Sequence, residues 1–188
     1  MDEGDITVAR AVPGDAPEIL AIHRRVLDEH EFFVTEPDEL SETIDRKVEA
    51  IREAARNAGC LYLVARAGHQ VVGWVQVVTA PRRRVRHVGR IELMVDAPWR
   101  GRGVGERLLA AVVGWAAESP VIEKLSLNVF IHNERAIRLY ERHGFREEGR
   151  REREYRFPDG TWRGDVIMAR WVGSSALDQP SRHSASRR

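Results

Sequence analysis

Arg100-Gly101-Arg102-Gly103-Val104-Gly105 alternates three glycines with bulkier residues where an extended segment, Arg90 to Val95, hands over to a helix. Without Cβ atoms the backbone at such a junction can take positive φ and approach a ligand closely, so successive N–H groups at a helix N-terminus can face phosphate oxygens. Arg100 and Arg102 add positive charge. The stretch reads as a pyrophosphate cradle, with a glycine-rich turn that only joins strand to helix as the alternative. It is not a better-known phosphate loop: no Gly-Lys-Ser/Thr ending occurs, and Gly105 follows Gly103 too closely for the dinucleotide fingerprint.

Outward from this junction the chain alternates strands and helices. On the N-terminal side, Val88 to Ala97 reads as a strand with Ile91, Leu93 and Val95 on one face and Glu92, Met94 and Asp96 on the other, so that Glu92 interrupts an apolar face. Leu61–Ala67 and Val71–Thr79 form a hairpin about Gly68-His69-Gln70. Ile6–Ala11 is a short strand. Asp15 and Glu18 have capping-box spacing for a helix to about Glu29, and a second helix starts near Pro37, carrying Leu40, Ile44, Val48 and Ile51. Between these helices, His30 to Glu36 is a loop with two aromatics, Phe32 and Phe33. On the C-terminal side a helix runs from Gly103 to before Pro120, with Leu108, Leu109, Val112, Val113 and Ala116 as its apolar stripe. Lys124–Ile131 is a strand, and Asn133 caps a helix that stops at Gly144. Phe145–Phe157 and Gly164–Trp171 close the sheet around Pro158-Asp159-Gly160.

Arg100-x-x-Gly103-x-Gly105 resembles the acetyl-CoA signature of the GCN5-related N-acetyltransferase (GNAT) superfamily. Leu125 to Asn133, followed by a helix holding Tyr140 and then Gly144-Phe145, resembles that family's second signature, in the right order and at a plausible separation. The resemblance runs from about Ile6 to Val172. It implies an α/β (α+β) fold: a single mixed, largely antiparallel twisted sheet of about six to seven strands, about four flanking helices, and a wedge between strands 4 and 5. The domain expected is 1–172, with 173–188, rich in Ser and Arg, as a disordered tail.

By resemblance, the family's acetyl-CoA would lay its pantetheine arm along Met94 and Val95, where a backbone N–H meets the thioester oxygen, and its pyrophosphate against Arg100, Gly101, Arg102, Gly103, Val104 and Gly105. Asn133 would bond the arm, and Tyr140 would protonate the leaving thiolate, against the plainer reading of a core tyrosine on Phe145. An alkylamine is almost wholly protonated near neutrality, so a base or a water chain must act first. Glu92 is the candidate base; the alternative is a carboxylate neutralised by Arg90 or Arg153. Phe33 and Glu36 belong to the loop that covers the acceptor pocket in this superfamily, and Glu31, Glu36 and Asp165 offer negative charge to a cationic acceptor. Ribosomal-protein alanine acetyltransferases tend to carry glutamate at the position aligned with Asn128, which counts against a protein N-terminal alanine as acceptor.

With 188 residues, 43% of them hydrophobic, the chain has enough for one domain with a sizeable core. Thirty basic and twenty-nine acidic residues leave a formal charge of +1, which argues against a nucleic-acid partner despite the local clusters Arg82–Arg86 and Arg150–Arg153. One cysteine, Cys60, excludes an internal disulfide, and the histidines lack metal-ligand spacing. No apolar run is long enough for a membrane span, and a cytoplasmic location is expected. Trp99, Trp115, Trp162 and Trp171 offer apolar surface for a homodimer, with core as the default for each. The expected function is acetyl transfer from acetyl-CoA to a small primary amine such as an amino acid or polyamine. The alternatives are a protein N-acetyltransferase and a catalytically silent CoA-binding sensor or interaction module.

Overall fold

A computed structural model describes residues 5–172; the expected tail at 173–188 lies outside them. Seven strands form one mixed sheet: β1 (Ile6–Arg10), β2 (Leu61–Ala67), β3 (Gln70–Thr79), β4 (Val88–Val95), β5 (Lys124–Phe130), β6 (Arg146–Arg156) and β7 (Trp162–Trp171), in the order β1-β2-β3-β4-β5-β7-β6. Four α-helices flank it: α1 (Ala16–Leu27), α2 (Ile44–Arg56), α3 (Val104–Glu118) and α4 (Glu134–Arg142). Every neighbouring pair is antiparallel except β4 and β5, which run parallel and pair only over Val88–Arg90 against Lys124–Ser126. Beyond Arg90 the ladder between them ends, and the expected wedge opens.

Period-two alternation divides the sheet's residues between two cores. Leu63, Val75, Val77, Leu125 and Met168 pack with Leu108, Leu109 and Val112 of α3 on one side, joined by the half-buried Ile91, Leu93 and Val95. Tyr62, Val64, Trp74 and Met94 pack under Ile19, Ile22 and Val26 of α1 and Ile51 of α2 on the other. Trp74, fully buried, anchors the second core. Among the described residues no helix is long and apolar enough to cross a membrane.

Two helix starts differ from the sequence expectation. Asp15 does not cap α1 in a box with Glu18. It accepts from Val12 N–H at 2.9 Å and pairs with Arg66, while Glu18 accepts from Val71 N–H at 2.8 Å. Both carboxylates are thus drawn to the sheet. Pro37 opens only a 3-10 turn, Pro37–Glu39, and α2 starts at Ile44, capped by the Thr43 hydroxyl at 3.2 Å from Arg46 N. The default core reading fails for two tryptophans: Trp162 and Trp171 are 55% and 45% exposed, near Arg156 and Lys124 respectively. The Arg82–Arg86 turn is exposed at the β3–β4 connection; Arg83 and Arg86 line a separate groove with His87.

Candidate active site

The wedge is a cleft of about 600 Å³, walled by β4, β5, the N-terminal end of α3 and the inner side of α4. One end of it is built by backbone. Gly101 and Gly103 take φ of +81° and +78°, left-handed values that a side chain disfavours. Gly103 is the N-cap of α3 and has no side chain with which to accept a hydrogen bond; the first helical bond runs from Arg107 N–H to Gly103 O. The amides of Val104, Gly105 and Glu106 are therefore the unpaired donors with which a helix begins, at the positive end of a fifteen-residue dipole. Gly101, Gly103, Val104 and Gly105 all line the cleft, and this chemistry fits a pyrophosphate.

The two loop arginines are placed differently from the free charges expected. Arg100 is held bidentately by Glu29 at 2.7 Å through each nitrogen, and its Nε donates to Val95 O at 3.0 Å. It braces the loop against the segment following α1. Arg102 stacks 5.1 Å from the Trp99 ring and is not among the residues lining the cleft. Arg135 of α4, which the sequence reading did not select, does line it. Its guanidinium lies 3.8 Å from where a Cβ on Gly101 would sit, and it has no carboxylate partner among the described residues. No local pattern marks it, since its value comes from α4 docking beside the loop.

Tyr140, Asn133, Met94 and Val95 share the cleft. Asn133 accepts from Ala136 N–H at 3.1 Å, so it is a helix cap as well as a lining residue. Tyr140 packs at 5.7 Å from Phe145 and has no hydrogen-bond partner for its hydroxyl among the described residues. Burial pushes its phenol up to about 12. The packing reading and the cleft-lining reading therefore hold together.

Glu92 stands on the opposite wall, half-buried, on the strand face it shares with Met94. Burial pushes its carboxyl above the ordinary range; the Lys47 ammonium and the hydrogen bond from Gln76 pull it back, and Glu42 pushes it up again. Neither Arg90 nor Arg153 pairs with it among the described residues; the cation that favours its charged form is Lys47 of α2, whose own ion-pair partner is Glu42.

At the other end, Phe33, Phe32, Glu31 and Val26 line the cleft together with Glu92 and Asn128. Glu36 does not; its carboxylate lies 2.9 Å from His30 Nδ1. Asp165, considered as part of an anionic pocket, is 2% exposed and held by Arg151, by Asn128 at 2.7 Å and by the Tyr155 hydroxyl at 3.2 Å. It fastens β5, β6 and β7 together. His132 reaches Glu31 O at 3.0 Å, tying the covering loop to the end of β5.

A sheet that splits between parallel strands, with amide donors at one end and a carboxylate and a phenol facing one cleft, defines an acyl-transfer scaffold. Residues 23–145 match the model of the Acetyltransferase (GNAT) family, and the chain belongs to that family. It is 30% identical over 116 residues to the L-amino acid N-acetyltransferase AaaT of Escherichia coli (strain K12), covering 62% of this chain and 71% of that one. It is 36% identical over 64 residues to the spermine/spermidine N(1)-acetyltransferase of Bacillus subtilis (strain 168), covering 32% of this chain and 42% of that protein. The solved acetyltransferase of GNAT family from Streptococcus pneumoniae superposes with a TM-score of 0.85 at 27% identity, covering 89% of this chain and all of that one.

Proposed function

We propose that this acetyltransferase moves an acetyl group from acetyl-CoA to the primary amine of a small molecule, an amino acid or a polyamine, by direct attack on the thioester. The observation that carries this is the presence of Glu92 and Tyr140 in one cleft, with the amides of α3 at its far end. Acetyl-CoA would supply the acetyl group as a thioester, the C–S bond breaking as the C–N bond forms and CoA departing as the free thiol. The orphan amides of Val104 and Gly105, with Arg135 beside them, hold the pyrophosphate. Met94 and Val95 present the backbone of β4 to the pantetheine arm, and an N–H there stabilises charge developing on the carbonyl oxygen.

Glu92 takes a proton from the substrate ammonium. Its raised affinity for protons brings it towards the range where a carboxylate can act as base near neutrality. Tyr140, kept protonated well above neutrality, donates its proton to the departing sulfur. Glu31, Glu92 and the phenyl groups of Phe32 and Phe33 give the acceptor end a negative and aromatic character that favours a cationic amine. Arg100, which also lines the cleft, is already paired with Glu29.

Two substitutions test these roles. Tyr140→Phe should lower kcat by about 10²-fold, the scale of general-acid catalysis, with acetyl-CoA affinity nearly unchanged; unaltered turnover removes Tyr140 from the mechanism. Glu92→Gln should abolish the acidic limb of the kcat/KM profile, and an unchanged profile assigns deprotonation to water.

A further inference from the structure

Lys47 is only 3% exposed. It lies in the first turn of α2, with its Nζ 3.5 Å from Glu42 Oε2 and 5.0 Å from the centre of the Trp74 ring. Burying an ammonium costs several kcal/mol unless an opposite charge meets it, and lysine is among the residues least often buried unpaired. Trp74 and Gln76 stand opposite Met94 and Glu92 across the β3–β4 ladder. An ammonium resting on Trp74 therefore faces the patch of sheet that carries Glu92.

At the far end of this strand face the buried Asp96 is held bidentately by Arg25 of α1; the remaining polar groups around Trp74 carry no charge near neutrality. His23 of α1, against Trp74 at 5.7 Å, is pushed down to about 4 by burial and by Lys47. Tyr62 of β2 is pushed well above its ordinary range by burial, then by Glu92 and Glu42. His23 Nδ1, the Tyr62 hydroxyl and Trp74 Nε1 are buried without a partner among the described residues, and Gln76 of β3 donates to Glu92. Apart from the Arg25–Asp96 pair, the charged side chains here are those of Lys47, Glu42 and Glu92. Glu42 sits at the solvent side with a 34% exposed side chain, and Glu92 opens into the cleft.

We propose that Lys47, paired with Glu42 on the sheet face that carries Glu92, is a positioning residue for acetyl transfer: its ammonium stabilises the Glu92 carboxylate, and Glu42 competes for that ammonium. The proposal rests on the reading of Glu92 as the base. It requires that two neighbouring substitutions act in opposite directions. Without Lys47, desolvation and the like charge of Glu42 both favour the protonated Glu92. Without the Glu42 charge, a repulsion is lost and the ammonium answers to Glu92 alone.

The test is a pH titration of the Glu92 carboxyl carbon by NMR in full-length protein labelled at glutamate, the resonance being assigned by its loss in E92Q. The readout needs neither acetyl-CoA nor an acceptor. K47M should raise the midpoint by about one pH unit or more, E42Q should lower it, and K47R should stay within about half a unit of the wild type. If K47M does not fold, the K47R and E42Q titrations decide. An unmoved midpoint in K47M, or a rise in E42Q, overturns the proposal. With acetyl-CoA and spermidine or an L-amino acid as acceptor, the acidic limb of kcat/KM should follow the same order. Midpoints that move as expected while E92Q retains full kcat/KM at every pH would leave the Lys47 coupling intact and remove Glu92 as the base.

Discussion

His23 gives the fold a specific acid sensitivity. Its imidazole lies beneath α1, 7% exposed, with Nδ1 unpartnered among the described residues and Lys47 nearby. Burial first, and the Lys47 charge second, lower its pKa from 6.5 to about 4. Between these values the unfolded chain binds a proton that the folded protein does not, so the folded state loses stability as the pH falls. The contribution is complete above the unfolded value and levels off below the folded one. At about 1.4 kcal/mol per pH unit the loss amounts to about 2 kcal/mol at pH 5 and about 3 kcal/mol at pH 4. His23→Phe keeps a ring beside Trp74 and cannot be protonated. Urea unfolding followed by tryptophan fluorescence at a series of pH values should show wild type losing about 2 kcal/mol relative to this variant between pH 7 and pH 5. Carboxylates titrating elsewhere in the protein cancel in that difference. Parallel stability curves for the two proteins would refute the assignment of a buried, neutral His23.

Three further substitutions probe the cleft and its frame. Asp165→Ala should destabilise the protein by about 2–3 kcal/mol, because Arg151, Asn128 and Tyr155 lose their shared acceptor; thermal unfolding reads this, and an unchanged Tm contradicts it. Gly103→Ala places a side chain at φ of +78°, so acetyl-CoA affinity measured by calorimetry should fall, with a backbone penalty of about 1–2 kcal/mol. Arg135→Ala should weaken acetyl-CoA about fivefold, an exposed charge being worth about 1 kcal/mol, and flatten the salt dependence of binding; equal affinity at low salt would place the phosphates elsewhere.

Most of the fold was legible because it rests on local rules. The alternation of Ile91, Leu93 and Val95 against Glu92 and Met94 assigned faces that the two cores confirm. The stripe Leu108, Leu109, Val112 and Ala116 marked the buried side of α3, and Asn133 and Gly144 bracketed α4. What stayed hidden depends on residues far apart in the chain. Asp15 and Glu18 look like a helix cap by spacing, yet Arg66 and Val71 N–H offer them partners across the sheet. Arg100 lines the cleft, but nothing in its spacing shows that Glu29, just past the end of α1, is paired with it. Lys47 sits three residues after Ile44 and four before Ile51, on the side of the helix where an apolar residue belongs, and only the packing of α2 over Trp74 reveals an ammonium facing the Glu92 side of the sheet. Arg135 has no spacing signal at all, since its place in the cleft follows from the docking of α4 beside Gly101.

The most direct test of the central claim is release of free thiol from acetyl-CoA in the presence of a panel of amino acids, polyamines, aminoglycosides and peptides. The expected result is thiol release that depends on a small, cationic amine and falls by about 10²-fold in Tyr140→Phe. Tight acetyl-CoA binding with no amine-dependent release across the panel would contradict it.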